Sequence, residues 1–354
     1  MCSEETHLLA FRKTGPVFGA AIVTVPSPVL PAAGMAIIDV AAAGICGSDI
    51  HAYEWTSGYG FMEKFLPLTL GHEFSGIVSA VGEGVSNIRA GDRVICWPTI
   101  ACGKCHACSA GRPQDCSDRR IIGLHVDGGF AQCVTVPAIN CRKLPDDLPL
   151  DLAALTEPLS VAVHAVNTAD ISHGDRTVVL GPGPIGLGMA FVASLRGADV
   201  LIAGFNDDVR LRYARELGIS RTADLAKETL AEAVDRNFGR PVDRVLEATG
   251  IATSVTEGLA VLRSSGIFVV AGIHSRPIEI DLTRFVREKK QLRAAHDTTD
   301  GALSEAISLL TAHAHLLSRL ATHRRPLSKA AEGFELARSR EAVKVLLLPE
   351  GEQE

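Results

Sequence analysis

The sequence predicts an α/β protein: a β-rich, barrel-like domain joined to a doubly wound nucleotide-binding domain. Three observations carry that expectation. The stretch "RTVVLGPGPIGLGMAFVASLRGADVLIAGFN" (176–206) reads as strand, glycine turn, helix and strand. Residues 1–160 instead show short strand patterns broken by glycine and proline. At the far end, "EAVKVLLLP" (341–349) offers one more apolar strand. The expected organisation is therefore a first domain over 1–160 that holds the metal loops, then a nucleotide-binding domain over 161–297. Residues 298–354, with the helical pattern "GALSEAISLLTAHAH", return to complete the first domain. The active site is expected in the cleft between the two domains, a common place for ligand pockets. A chain of 354 residues is long enough for two cores, and it shows no internal repeat.

Composition narrows the function classes. Hydrophobic residues at 47% and charged residues at 21% fit a globular protein and argue against disorder. A net charge of -6, with no basic block, points away from nucleic acid and from membrane surfaces. The start "MCSEETHLLAFRK" has acids before a short apolar run and does not read as a secretion signal. Thr177 to Leu195 is uncharged and long enough to cross a bilayer, but glycines and prolines crowd its centre, so it reads as a buried strand, turn and helix. The expectation is a soluble, cytoplasmic protein without a membrane partner. In that compartment disulfides are not expected among the nine cysteines, and metal ligands or buried thiols become the default.

Four cysteines fall within "CGKCHACSAGRPQDC": Cys102, Cys105, Cys108 and Cys116. The spacing C-x2-C-x2-C-x7-C lets four thiolates converge on one ion. A tetrahedral thiolate set closes a zinc site and leaves no position for substrate, which makes it structural. A ferredoxin-type iron–sulfur run begins the same way but continues x3-C-P. Here the last gap is seven residues and Ser117 follows, so zinc is the better reading.

A second donor set is spread more widely. "GICGSDIHAYEW" supplies Cys46, Ser48, Asp49 and His51; "LGHEFSGIVSAVGEGV" supplies His72 and Glu73; "TEPLSVAVHAV" supplies Glu157. One cysteine, one histidine and one or two carboxylates could hold a zinc with an open position. On spacing alone the signal is weak, because Cys46 and His72 lie far apart.

The glycine loop is stronger, since an apolar strand precedes it and an apolar helix follows. Gly181, Gly183 and Gly186, with Pro184 and Ile185 in the turn, fit G-x-G-x-x-G, which brings backbone close to a pyrophosphate at a helix N-terminus. The acid that selects NAD should end the second strand, but Gly204 or Phe205 stands there. Asp207 and Asp208 come late and read as helix-capping residues. The missing acid, with Arg210 and Arg212 nearby, permits NADP and tilts the reading slightly towards it, although Asn206 can bond either ribose. Gly250 and Gly272 end later strands, where they are either cofactor neighbours or ordinary turns.

In order and spacing, "GICGSDIH", "GHEFSG…VGEGV…GDRV", the four-cysteine loop, "DGGFAQ", "EPLSVAVHA" and "VVLGPGPIGL" give the chain a family resemblance. It resembles the zinc-dependent medium-chain alcohol and polyol dehydrogenases over essentially its whole length. The resemblance implies a GroES-like β-barrel catalytic domain and a Rossmann domain, with two zinc ions per subunit, NAD(P) as cofactor and a homodimer or homotetramer. It makes Cys46 and His72 catalytic zinc ligands, with Glu73 or Glu157 binding directly or through water. Such a metal lowers the pKa of a bound alcohol, which then yields hydride to nicotinamide. Ser48 and His51 match the family's proton relay, and Asp49 would orient His72. Lys344 stands where the family often has a basic residue near the pyrophosphate.

The reaction so implied is oxidation of a secondary alcohol in a small polar substrate (polyol, sugar alcohol or cyclitol) to a ketone. "HAYEW" and "PLTLGHEF" resemble threonine dehydrogenases, so L-threonine 3-dehydrogenase-like oxidation is the alternative. "EPLSVAVHA" is closer to sorbitol dehydrogenases, yet "QLRAAHDTTD" lacks their Arg-Tyr pair. Tyr53 and Trp55 are pocket residues or core aromatics. A non-catalytic zinc-binding protein is the reading from a different class, and the missing basic patch argues against a nucleic-acid version of it.

Overall fold

The computed structural model describes residues 7–349. The chain divides into two compact units, 1–157 with 307–314 and 321–354 in the first, and 158–306 with 315–320 in the second. Among the described residues no helix is long and apolar enough to cross a membrane.

Unit 1 is built from short strands: β1 (His7–Lys13), β2 (Ala21–Pro26), β3 (Met35–Gly44), β4 (Leu68–Thr69), β5 (Glu73–Val81), β6 (Arg93–Cys96), β7 (Thr99–Ile100), β8 (Arg120–Ile121), β9 (Cys133–Pro137) and β10 (Cys141–Lys143). Helices α1 (Gly47–Glu54), α2 (His106–Ser109) and α3 (Leu150–Ala153) interrupt them, and α4 (Thr156–Thr168) carries the chain into unit 2. Strand β3 is the spine. It pairs antiparallel with β5 and β9, and its last residues pair with a strand from the chain's end. It is flanked on both edges, seven of its ten residues are buried, and its run "MAIIDVAAAG" is apolar almost throughout. Strand β1 links β2 and β4 in a second sheet.

Unit 2 alternates strand and helix: β11 (Arg176–Leu180), α5 (Pro184–Leu195), β12 (Asp199–Gly204), α6 (Asp208–Glu216), β13 (Arg221–Asp224), α7 (Leu230–Phe238), β14 (Val242–Glu247), α8 (Ala252–Val261), β15 (Leu262–Val270), α9 (Leu282–Arg287) and β16 (Gln291–Ala294). The strands form one parallel sheet in the order β13-β12-β11-β14-β15-β16. The order reverses between β11 and β14, so the carboxyl ends of those strands make the ligand-binding crevice of a doubly wound sheet. The apolar runs "TVVL" and "VLIAG" are buried throughout, as helices on both faces of a parallel sheet require.

Beyond residue 298 the chain is shared. Helix α10 (Asp300–Ala312) begins in unit 2 and ends in unit 1, and α11 (Ala314–Leu317) follows. Strand β17 (His323–Pro326), helix α12 (Ala330–Arg338) and strand β18 (Val345–Leu348) then belong to unit 1, where β18 pairs Leu346 with Gly44 of β3. The α12 ring of Phe334 lies 5.1 Å from Phe11 and 4.8 Å from Tyr53. Tyr53 is thus a core aromatic, and Trp55 closes α1 in the left-handed region at φ 56°.

Among the described residues seven cysteines carry free thiols. Cys133 in β9 is disulfide-bonded, against the expectation of none.

Candidate functional site

The four-cysteine loop folds as the spacing requires. Cys105 Sγ lies 3.5 Å from Cys108 Sγ and 3.9 Å from Cys116 Sγ, and all four ligand atoms fall within 4.8 Å of one another. A tetrahedral ion about 2.3 Å from each sulfur holds the sulfurs roughly 3.8 Å apart, so the residues fit zinc. The amide of Cys102 already donates to Cys116 Sγ at 3.2 Å. Amides of Cys108 and Ser117 bring the Cys105 thiol down to about 5. Burial, with the neighbouring Cys105, pushes Cys108 up to about 12.

The second group forms at the joint between β3, α1 and β5. Cys46 is the N-cap of α1, and Asp49 three residues on accepts the Cys46 amide at 3.0 Å, a capping-box contact that locks the turn. Asp49 is wholly buried, and its other oxygen accepts the Gly71 amide at 3.3 Å and lies 3.6 Å from His72 Nδ1. The side chain predicted to orient His72 therefore touches both flanks of the group. Donor atoms of Cys46, His72 and Glu73 lie within 4.8 Å of one another. His72 Nδ1 is buried without a hydrogen-bond partner. Burial works against a charged imidazole, yet the negative charges of Asp49 and Cys46 raise the His72 pKa well above its ordinary value. A site of that polarity favours a cation, and the donor set suits zinc.

Glu157 is half-buried in the first turn of α4 and is not part of this group. Its charge acts on Lys344. The ammonium of Lys344 is buried within unit 1 on Glu73 and on Ile45 O, so it is not free to serve a pyrophosphate.

Ser48 Oγ lies 3.3 Å from His72 Nε2. His51, three residues further along α1, has Nδ1 3.3 Å from Thr56 Oγ1. Sequence reasoning missed Tyr59. Its ring stacks on His51 at 5.5 Å, its phenol bonds Ser48, and burial together with Cys46 and Asp49 keeps that phenol protonated far above neutrality. No local pattern marks it, because it sits in an irregular segment.

In unit 2 the glycine loop has the expected form. Gly181 takes φ +99°, a left-handed position that favours glycine, and a Cβ on Gly186 would collide with the Gly181 carbonyl. A Cβ on Gly183 would meet only Arg210 Nη1, at 3.7 Å, so the loop's outer edge faces a guanidinium. Gly183 is the N-cap of α5, with Pro184 and Ile185 in its first turn. Strand β12 ends on Gly204 without a carboxylate, and Asn206 follows at φ 50°. Asp207 caps α6 through the Arg210 amide at 3.3 Å and holds Arg210 Nε at 2.8 and 3.0 Å. Asp224 accepts the Asn206 amide at 2.7 Å and pairs with Lys227 at 3.0 Å.

Gly250 and Gly272 pack against each other across the ends of β14 and β15. The organising group there is Glu247, another residue the sequence reading passed over. Fully buried, it accepts the amides of Thr249 at 2.6 Å and Gly250 at 2.8 Å, and it meets His274 Nε2 at 3.1 Å. The acid in "LEATG" at a strand end is a signal that could have found it.

A model of the alcohol dehydrogenase GroES-like domain matches residues 32–146, and one of the glucose dehydrogenase C-terminus matches residues 150–348. The chain is 36% identical to an L-threonine 3-dehydrogenase of Bacillus subtilis over 344 residues, 96% of this chain and 98% of the relative. It is equally 36% identical to a sorbitol dehydrogenase of Halalkalibacterium halodurans, over 88% of this chain and 91% of the relative. A solved zinc-binding dehydrogenase of Sinorhizobium meliloti 1021, bound to NADP, superposes with TM-score 0.88 at 30% identity, covering 98% of this chain and all of its own.

Proposed function

The chain belongs to the zinc-binding medium-chain alcohol and polyol dehydrogenases, and from that premise we propose that it oxidises a secondary alcohol of a small polar substrate to a ketone. The substrate class is a polyol, sugar alcohol or cyclitol, and the hydride acceptor is NAD(P), with NADP preferred. The observation that carries the reading is the convergence of Cys46, His72 and Glu73, with the Ser48 hydroxyl 3.3 Å from His72.

When bound, zinc at Cys46 and His72 supplies a Lewis acid for the alcohol, and the nicotinamide supplies the hydride acceptor. The chain's own residues do the rest. Ser48 Oγ takes the proton that the alcohol loses as it passes its own hydroxyl proton on towards His51. His51, one helical turn along α1 on the same face, takes up that proton and hands one to water. Asp49 keeps Cys46 and His72 in place through the contacts described above. A second ion at Cys102, Cys105, Cys108 and Cys116 closes the 102–116 loop and takes no part in turnover.

For the cofactor, the support is local. No free carboxylate ends β12: Asp207 is bound by Arg210, and Asp224 by Lys227 and the Asn206 amide. Arg210 sits beside Gly183, where a 2′-phosphate would find a guanidinium rather than a repelling acid.

L-threonine is the second reading, favoured by the relative that matches 96% of the chain. Nicotinamide reduction, with NAD and NADP separately, over polyols, sugar phosphates, cyclitols and L-threonine tests both. Turnover of a polyol or cyclitol is the expected result. Turnover of L-threonine alone would replace the polyol reading.

A further inference from the structure

One buried cation beside the candidate metal centre has no part in the chemistry above. Lys344, just before β18, has a side chain 2% exposed. Its Nζ donates to Glu73 Oε1 at 2.8 Å, to Glu73 Oε2 at 2.6 Å and to Ile45 O at 3.0 Å. An ammonium has three protons to donate, and these three acceptors use all of them. Both oxygens of the Glu73 carboxylate are engaged, and that carboxylate is wholly buried.

The arrangement follows from strand register. Glu73 opens β5 opposite Gly44 of β3, and Leu346 of β18 pairs with that same Gly44. A Cβ at Gly44 would collide with Glu73 Oε2, so the glycine makes room for the ion pair. The same Glu73 carboxylate offers an oxygen to the group with Cys46 and His72. It therefore belongs both to the ion pair with Lys344 and to the candidate donor set of Cys46 and His72. Two hydrogen bonds to the carboxylate and one to a backbone carbonyl, all out of water, commit the ammonium to this pair.

We infer that Lys344 is a positioning residue for this centre: it holds Glu73 as a charge-neutral pair and keeps it from acting as a full anionic donor beside Cys46 and His72. The inference rests on the reading that Cys46 and His72 hold a metal. Its consequence is electrostatic. With Lys344 present, the thiolate, imidazole, carboxylate and ammonium sum to a single negative charge; without it, to two. More donor charge binds a divalent cation more tightly and leaves it a weaker Lewis acid.

The test uses full-length protein stripped of metal and reloaded with Co2+, with affinity read by chelator competition and coordination by the visible spectrum. Wild type is expected to take two cobalt ions per chain. Lys344→Met should hold the second ion about tenfold tighter, the lower end of the range for groups that contact metal ligands, with a weaker visible band as coordination rises. The double variant K344M/E73Q should lose that gain. Unchanged or weaker affinity in a folded Lys344→Met protein, with two ions bound in wild type, would overturn the inference alone. A single ion per wild-type chain would remove the metal reading and the inference with it. Should Lys344→Met fail to fold, Glu73→Gln decides: a loss of affinity smaller than about tenfold supports a neutralised Glu73, and a loss of about tenfold or more overturns it.

Discussion

At the scale of single residues, charge pairing decides what each ionisable group is free to do. Arg210 illustrates the cofactor side. It is tied at Nε to Asp207, yet its Nη1 lies over Gly183 and faces the space beside the glycine loop. A guanidinium already oriented by a carboxylate makes a geometrically specific anion contact. Arg210→Ala should therefore raise the KM for NADP about tenfold, equivalent to about 1.4 kcal/mol, while changing that for NAD less than about twofold. Steady-state kinetics with each cofactor measures the difference. Equal effects on both would mean that Arg210 serves α6 rather than the nucleotide. Asp207 was legible as a capping residue because capping is local. Its second role towards Arg210 emerges only from side-chain geometry.

Among elements, the most informative junction is at the amino ends of β11, β14 and β15. Asp243 of β14 accepts from the Arg176 amide at 2.9 Å, Arg176 Nε at 2.8 Å and Arg263 Nε at 2.6 Å, joining the three neighbouring strands. Burial would raise its pKa, but hydrogen bonds from Arg176 and Arg263 overcome that and bring it down to about 2. An unfolded aspartate titrates near 3.9. The folded value is the lower one, so the stabilisation is complete above about pH 4 and is lost as pH falls towards 2. Asp243→Asn should destabilise the protein by about 2 kcal/mol at pH 7, with the gap closing between pH 4 and 2 in urea denaturation. A gap that does not change with pH would assign the loss to packing instead of charge. Strands β11 and β12 of unit 2 were readable because each holds a continuous apolar run, "TVVL" and "VLIAG", followed by its own helix. The antiparallel strands of unit 1 were readable only as a class. Most are short, and β3 chooses partners as far apart as β5 and β18.

For the whole molecule, the two candidate metal groups should separate function from architecture. Each group closes within unit 1, one in the 102–116 loop and one between α1 and β5. Metal analysis of the purified chain is expected to give two zinc ions. Cys105→Ser should leave one, lower the melting temperature and retain most turnover in protein that remains folded. Cys46→Ser should also leave one, but abolish turnover at nearly unchanged melting temperature. If folded Cys105→Ser protein is inactive, the loop does more than hold shape. If Cys46→Ser keeps its activity, the reaction runs elsewhere.

What the sequence determined by itself was whatever sits close together along the chain. The four-cysteine spacing, the Cys46–Asp49 turn that opens α1 and the glycine turn into α5 each depend on backbone geometry over a few residues. The reaction class followed from their combination and order. Tertiary structure decided the choices among distant groups: Glu73 rather than Glu157 beside Cys46 and His72, Lys344 committed to Glu73 rather than to a phosphate, and Tyr59 laid against His51. The physical reason is that a buried charge must find its partner through space. Which partner it finds depends on the register of β3 with β5 and β18, strands whose paired residues lie tens of positions apart in the first case and hundreds in the second.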